Sequence, residues 1–360
     1  EKAELVLITA DATVHKSNPF YRCIQSCIPG EQAPGGWSVL EMLTQKCRCL
    51  PGTNGLGVYT TTEELIQGID LSGKTYLLTG ASGGLGLETL SQLIRAGGKV
   101  FATARTRAKL EEVCLGENLL MGAWNAGMIV PIELELSDPN SCRRAVQQLR
   151  KYKFDGIILN AGVMSLSNKI IKHGMELTFL TNYFSTYILL TGLGSTGLTP
   201  TGRIVLVSSC AMFDTYDEGI YTFDITFEKH RWTPWGAFAM SKLANECFMK
   251  EFAKTLKPGQ MINTCHPGIC ATEAVRHFPC WFQGLFFIMG QIGLLKSRQA
   301  GAATQLYLAT SPQVAHISGE YWSHCNIAAT SPFAEDEGLR ERLMTLSATL
   351  DSISWSMSTL

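Results

Sequence analysis

Charge is scarce in this sequence and almost perfectly balanced: 17% of its 360 residues are charged, with 30 Lys and Arg against 31 Asp and Glu. A chain with a formal net charge of only −1 makes no field that gathers nucleic acid, so nucleic acid is not an expected partner. No run of 18 or more apolar residues exists, and no transmembrane helix is predicted. The nearest approach, Trp281 to Leu295, is interrupted by Gln283, Gly284, Gly290 and Gln291. It reads as a buried or lid helix, with peripheral membrane contact as the alternative. Asn-x-Ser/Thr is absent, and the 12 cysteines form no short, evenly spaced framework of the small secreted kind. Together these point to a reducing compartment, the cytoplasm or a cytosol-facing membrane. The first residue is Glu1 rather than Met, so a trimmed leader stays open.

What is present is a large apolar fraction, 46%, enough for a substantial core. Residues 1–57 show no hydrophobic period and hold Pro19, Pro29, Pro34 and the linker-like Pro51-Gly52-Thr53-Asn54-Gly55. They read as an N-terminal extension of unknown role, with a short helix near Val39–Lys46. Cys23, Cys27, Cys47 and Cys49 lie there without a C-x2-C pair, so they read as incidental thiols and no metal is expected.

From Lys74 the pattern changes. Short β-rich runs (Thr75–Thr79, Lys99–Ala104, Met128–Leu134, Asp155–Asn160, Arg203–Ser208, Gln260–His266 and Glu320–Ser323) alternate with stretches of helical length. Those helical stretches include Leu85–Ala96, Asn140–Tyr152, Met175–Leu190 and Gly236–Leu256, and a terminal helix is expected over Glu335–Leu350. Strand–helix alternation predicts an α/β fold of βαβ units with right-handed crossovers and one mainly parallel sheet of about seven strands. The expected division is 1–57 for the extension, 58–330 for the α/β unit and 331–360 for a C-terminal helix and tail.

The first strand runs directly into Thr79-Gly80-Ala81-Ser82-Gly83-Gly84-Leu85-Gly86, and a helix follows. Glycines allow a tight turn and close backbone approach to a pyrophosphate, and the N–H groups at the helix start face its charge. Thr79, Gly80, Ser82, Gly84, Leu85 and Gly86 are therefore expected to bind a dinucleotide. Gly80-Ala81-Ser82-Gly83-Gly84 also satisfies the G-x-S-x-G nucleophile elbow of hydrolases, but that elbow needs several strands before it, which residues 1–70 do not supply. The second strand ends in Ala104-Arg105-Thr106-Arg107, with no acid until Glu111. A guanidinium there suits a 2′-phosphate, which favours NADP(H) over NAD. The alternative is that Arg105 stacks on the adenine and leaves NAD acceptable.

With these motifs assembled, the chain resembles the short-chain dehydrogenase/reductase family, and within it the retinol dehydrogenases and WW-domain oxidoreductases. The resemblance covers about residues 57–350. It rests on the Thr79–Gly86 loop, Asn160-Ala161-Gly162, Asn182 in Thr-Asn-Tyr-Phe, Ser208-Ser209, Ser241-Lys242-Leu243-Ala244-Asn245, His266-Pro267-Gly268 with Thr272, and Ser318-Gly319-Glu320-Tyr321-Trp322. One Trp in the extension, Trp37, does not support a WW domain. The resemblance implies a doubly wound Rossmann-type sheet in the order 3-2-1-4-5-6-7 with helices on both faces, and a cofactor held by Asn160, Ala161, Gly162, Pro267, Gly268 and Thr272, with Glu135 and Leu136 near the adenine. Glu135 stands where the family usually has Asp.

The resemblance also implies a catalytic set of Asn182, Ser209 and Lys242 with a tyrosine four residues before the lysine. The sequence reads Phe238-Ala239-Met240-Ser241-Lys242. Residues four apart share a helix face, so a phenol belongs where Phe238 stands. Phe keeps the shape and loses the acidic O–H, and a positioned acid–base group contributes roughly 10²- to 10⁴-fold. Three explanations stay open: an engineered trap, a natural loss that left a binding or regulatory protein, or replacement of the phenol by Tyr216 or Tyr221. The expected activity is interconversion of an alcohol and a carbonyl on a hydrophobic substrate such as a retinoid, steroid or lipid aldehyde. The apolar segment Phe278–Leu295 would line or cover the pocket. A homodimer is implied by analogy with the family.

Overall fold

A computed structural model describes residues 51–164, 166, 168–270 and 295–356. The expected helix at 39–46, the four early cysteines, Thr272 and all of the 278–295 segment except Leu295 lie outside the described residues.

In chain order the elements are α1 (Thr62–Ile66), β1 (Thr75–Leu78), α2 (Gly84–Arg95), β2 (Lys99–Ala104), α3 (Arg107–Leu115), α4 (Asn118–Asn125) and β3 (Ile129–Glu133). Then come α5 (Pro139–Leu149), β4 (Phe154–Leu159), the short hairpin β5 (Ile171–Lys172) and β6 (Met175–Glu176), and α6 (Leu177–Phe179). A π-helical turn over Leu180–Phe184 joins α6 to α7 (Ser185–Leu193), followed by β7 (Leu198–Val207), α8 (Pro234–Ala253), β8 (Met261–His266) and α9 (Arg298–Thr310). The described residues end with β9 (Tyr321–Ser323), β10 (Asn326–Ile327), α10 (Pro332–Glu335) and α11 (Glu337–Ser356).

The main sheet has eight strands in the order β10-β9-β8-β7-β4-β1-β2-β3, parallel throughout except for β10, which pairs antiparallel with β9 at one edge. The seven expected strands take their expected order, and β10 is an eighth that the sequence reading did not contain. Two apolar layers sandwich the sheet. One packs α5, α6, the π-helical turn, α7, α8 and α11 through residues such as Leu149, Phe179, Tyr183, Phe184, Leu189, Phe248 and Leu343. The other packs α2, α3, α4 and α9 through Leu90, Leu93, Leu110, Leu120 and Leu306.

Local chemistry sets the helix starts. Asp138 caps α5 through its carboxylate on Asn140 N–H, and Thr233 caps α8 through its hydroxyl on Gly236 N–H, each followed by a proline in the first turn. The C-terminal elements are clamped to α8 by Arg340 Nε donating to Glu251 at 2.7 Å and by a Lys250–Glu335 ion pair at 2.9 Å. Among the described residues no helix is long and apolar enough to cross a membrane.

Candidate active site

Parallel strands bring their carboxyl ends to one edge of the sheet, and the loops that follow them gather there. The loop after β1 is tied down on three sides. Thr79 Oγ1 accepts from Ala161 N–H at 3.0 Å, Asn160 Nδ2 donates to Thr79 C=O at 3.0 Å, and Ala81 N–H donates to Thr103 C=O at 2.9 Å. Gly80 takes φ +68°, which a side chain rarely adopts. A Cβ on Gly86 would stand 2.1 Å from Gly80 O, so the first turn of α2 can approach the loop only as glycine. The space above is open: a Cβ on Gly83 or Gly84 would meet nothing within 4 Å, and no side chain caps the start of the 12-residue α2. Its first N–H groups are thus left for an anion. Ser82 sits in this loop half-buried, and Leu85 packs toward Gly301 of α9. No strand precedes β1 among the described residues.

Arg105 lies exposed just past the end of β2. Past β3, Glu135 turns its carboxylate onto its own loop, accepting from Ser137 N–H at 2.9 Å, while Leu136 is half-buried. Asn160 also accepts from Gln305 Nε2 at 3.3 Å and so joins β1, β4 and α9. Gly162 brings the chain against Asn182 and Lys242: its missing Cβ would stand 3.0 Å from Asn182 Oδ1 and 3.7 Å from Lys242 Nζ.

Asn182 occupies the π-helical turn, a widened turn that often marks a functional position. Its amide is fully used: Oδ1 accepts from Val163 N–H at 2.8 Å, and Nδ2 donates to Val163 C=O at 2.9 Å and Ser241 Oγ at 3.0 Å. Its backbone carbonyl accepts from Asn245 Nδ2 at 3.0 Å. Lys242, on α8, is buried and donates to Val207 C=O at 2.7 Å. Burial disfavours the ammonium and lowers its pKa to about 8. Its Nζ stands 5.6 Å from the centre of the Phe238 ring, which lies one turn earlier on the same helix. Ser209 follows β7 and caps a short turn of helix, its Oγ accepting from Ala211 N–H at 3.1 Å. Ser208, its neighbour, is buried and donates to Lys242 C=O at 3.3 Å. Pro267 and Gly268 come directly after β8, with Lys296 Cδ 2.5 Å from where a Gly268 Cβ would be.

The expected residues other than Thr272 are therefore at or beside the carboxyl edge, and Gly162, Asn182, Phe238 and Lys242 are brought together. Tyr216 packs against the first turn of α8, its hydroxyl 2.5 Å from where a Gly236 Cβ would be, and Tyr221 stacks on it. The Tyr216 hydroxyl accepts from Thr233 N–H at 3.2 Å, the two rings stack with centroids 4.7 Å apart, and Tyr221 lies 3.9 Å from His230. Several contributing residues escaped the sequence reading. Thr103 Oγ1 accepts from Gly80 N–H at 3.3 Å in the loop after β1, Gln305 holds Asn160 beside it, and Met164, Ala211 and Trp235 form an apolar group with Phe238 and Ala239. Trp235 stands three residues before Phe238, so helical spacing was the available signal. No cluster of metal-ligating side chains occurs among the described residues.

The short chain dehydrogenase family model matches residues 74–221. Human (Homo sapiens) retinol dehydrogenase 14 is 31% identical over 293 residues, 77% of this chain and 86% of that protein. The WW domain-containing oxidoreductase of Pongo abelii is 27% identical over 299 residues, 81% of this chain and 71% of that one. A short chain dehydrogenase from Burkholderia cenocepacia, solved in complex with NADP, superposes with a TM-score of 0.54 at 21% identity over 70% of this chain and 96% of its own. The chain belongs to the short-chain dehydrogenase/reductase family of oxidoreductases and resembles its retinol dehydrogenase and WW-domain oxidoreductase group.

Proposed function

We propose that this chain is an NADP(H)-dependent oxidoreductase that interconverts an alcohol and a carbonyl on a hydrophobic, retinoid-, steroid- or lipid-like substrate, slowly, because Phe238 stands where a phenol is needed. The observation that carries the reading is the Phe238 ring held 5.6 Å from the buried Lys242 Nζ, beside Asn182 and Gly162.

A dinucleotide fits the residues present. The uncapped start of α2 and the open space over Gly83 and Gly84 match a pyrophosphate, and exposed Arg105 suits a 2′-phosphate. Glu135 and Leu136 would border the adenine, Asn160 and Ala161 the ribose side, and Pro267, Gly268 and Thr272 the nicotinamide. The bound cofactor supplies or accepts the hydride. Lys242 would hold the ribose hydroxyls and place a positive charge near the reacting oxygen. Ser209 would donate to that oxygen, and Asn182 would fix the π-helical turn behind Lys242. The apolar group of Met164, Ala211, Trp235, Phe238 and Ala239 gives the substrate side little to offer a charged ligand.

Phe238 itself favours a second reading, a binding or regulatory protein that holds NADP(H) without turnover. In either case we place the α/β unit at 58–330 with a C-terminal helix and tail at 331–360. We also place the protein in the cytoplasm, free or peripheral on a membrane, as a homodimer. Equilibrium titration with NADPH and NADH, read by tryptophan fluorescence, tests the cofactor part. NADPH is expected to bind more tightly than NADH, and absence of binding by either overturns the proposal.

A further inference from the structure

The indole of Trp235 presents a donor that the protein leaves unused. Its Nε1 is buried and has no hydrogen-bond partner. Buried polar atoms without partners are uncommon in native proteins, and each calls for a reason. Trp322 Nε1 shares the condition, but its ring packs on Tyr307 in the core layer on one face of the sheet. Trp235 is placed differently. It lies in the first turn of α8, its ring centre 5.8 Å from that of Phe238, in the small apolar group with Ala211 and Met164 at the carboxyl edge.

The side chain is a hydrogen-bond donor and nothing more: an indole N–H accepts no bond and gives up no proton at working pH. Its neighbour Phe238 offers neither donor nor acceptor. A ligand that fills this group with hydrocarbon alone leaves the N–H unsatisfied, whereas a ligand carrying one oxygen acceptor completes it. A buried donor discriminates strongly against a ligand lacking its acceptor, since the mismatch leaves a desolvated polar group behind.

We propose that Trp235 is a specificity-determining residue that donates its indole N–H to an oxygen of the bound substrate, so that the site selects oxygen-bearing apolar ligands over hydrocarbons of the same shape. The inference rests on the reading of this site as a pocket for a hydrophobic alcohol or carbonyl. It assigns Trp235 a binding role without proton transfer, so it holds whether the chain turns over or only binds.

The test uses the NADPH-saturated full chain and two ligand pairs that differ by the oxygen: trans-cinnamaldehyde against trans-β-methylstyrene, and all-trans-retinal against its deoxy hydrocarbon. Affinities are measured for the wild type and for Trp235→Phe, which keeps an aromatic ring and removes the donor. In the variant, the preference for aldehyde over hydrocarbon is expected to fall about three- to tenfold, with hydrocarbon affinity little changed. With ¹⁵N-tryptophan, the indole resonance absent from Trp235→Phe should shift on adding aldehyde and stay put with hydrocarbon. An unchanged preference in the variant, or equal shifts for both ligands, overturns the inference while the pocket reading stands. Failure of all four ligands to bind the wild type overturns both.

Discussion

Glu246 lies wholly buried on α8, where a carboxylate oxygen accepts from Thr264 Oγ1 at 2.9 Å and the Thr330 hydroxyl also acts on the carboxyl. Burial raises its pKa from 4.5 to about 7, against smaller opposing effects of Thr264 and Lys250. The folded state therefore binds this proton more strongly than the unfolded chain does. The stability it contributes is full below the unfolded value of 4.5 and is lost as pH rises through about 7. A shift of two to three pKa units corresponds to about 3 kcal/mol across that window. His266 opposes it: burial and two nearby lysines lower its pKa to about 3, so its contribution appears as pH rises toward 6.5. The wild-type profile mixes both slopes, and the comparison with Glu246→Gln separates them. The amide cannot ionise, so urea unfolding should find the variant more stable at pH 8 by about 1–3 kcal/mol, allowing for an imperfect bond to Thr264. Near pH 4.5 the two proteins should agree within about 1 kcal/mol. A variant equally destabilised at both pH values would refute the argument, since it would mean that the carboxylate is ionised and usefully paired.

Two further substitutions test the cofactor cradle. Gly86→Ala places a methyl 2.1 Å from Gly80 O, which forces the loop and α2 apart. Thermal unfolding should reveal a loss of about 1–3 kcal/mol, and fluorescence titration an NADPH affinity lowered by at least about tenfold as the helix start moves off the phosphates. Arg105→Ala should weaken NADPH by about 10- to 100-fold and leave NADH unchanged, the signature of a charge-assisted contact to a 2′-phosphate. An equal effect on both cofactors would assign Arg105 to the adenine ring instead.

The strands were legible because β1, β2, β4, β7 and β8 are short apolar runs separated by stretches of helical length, but their order followed from the family resemblance, since right-handed crossovers are met equally by other doubly wound orders and by closed barrels. α9 was missed for a physical reason: of its 13 residues, Ala300 through Thr310 are all buried, so it has no polar face and shows no helical period. The hairpin β5–β6 and the edge strand β10, two residues per strand, are too short for alternation to register. The π-helical turn at Asn182 could not be read either, because nothing in Leu180-Thr181-Asn182-Tyr183-Phe184 marks the extra residue; the amide contacts to Val163 and Ser241 belong to the folded molecule. Of the site, the residues that follow strands were readable from their glycines and their order. The bracing by Thr103 and Gln305 was not, since each acts across the fold from an unremarkable sequence position.

The central claim is that the site retains what holds the cofactor and substrate and lacks one proton donor. The deciding measurement is the rate of NADPH consumption with retinoid, steroid and aliphatic carbonyls by this protein and by its Phe238→Tyr variant. With Lys242 Nζ 5.6 Å from the ring centre, a new phenol lies within reach of its charge. At a separation of about 5 Å and an effective dielectric of about 20, that charge favours the phenolate by about 3 kcal/mol. The tyrosine variant is expected to turn over at least about 10²-fold faster on some member of the panel. Both proteins binding NADPH yet remaining silent on every carbonyl would contradict it.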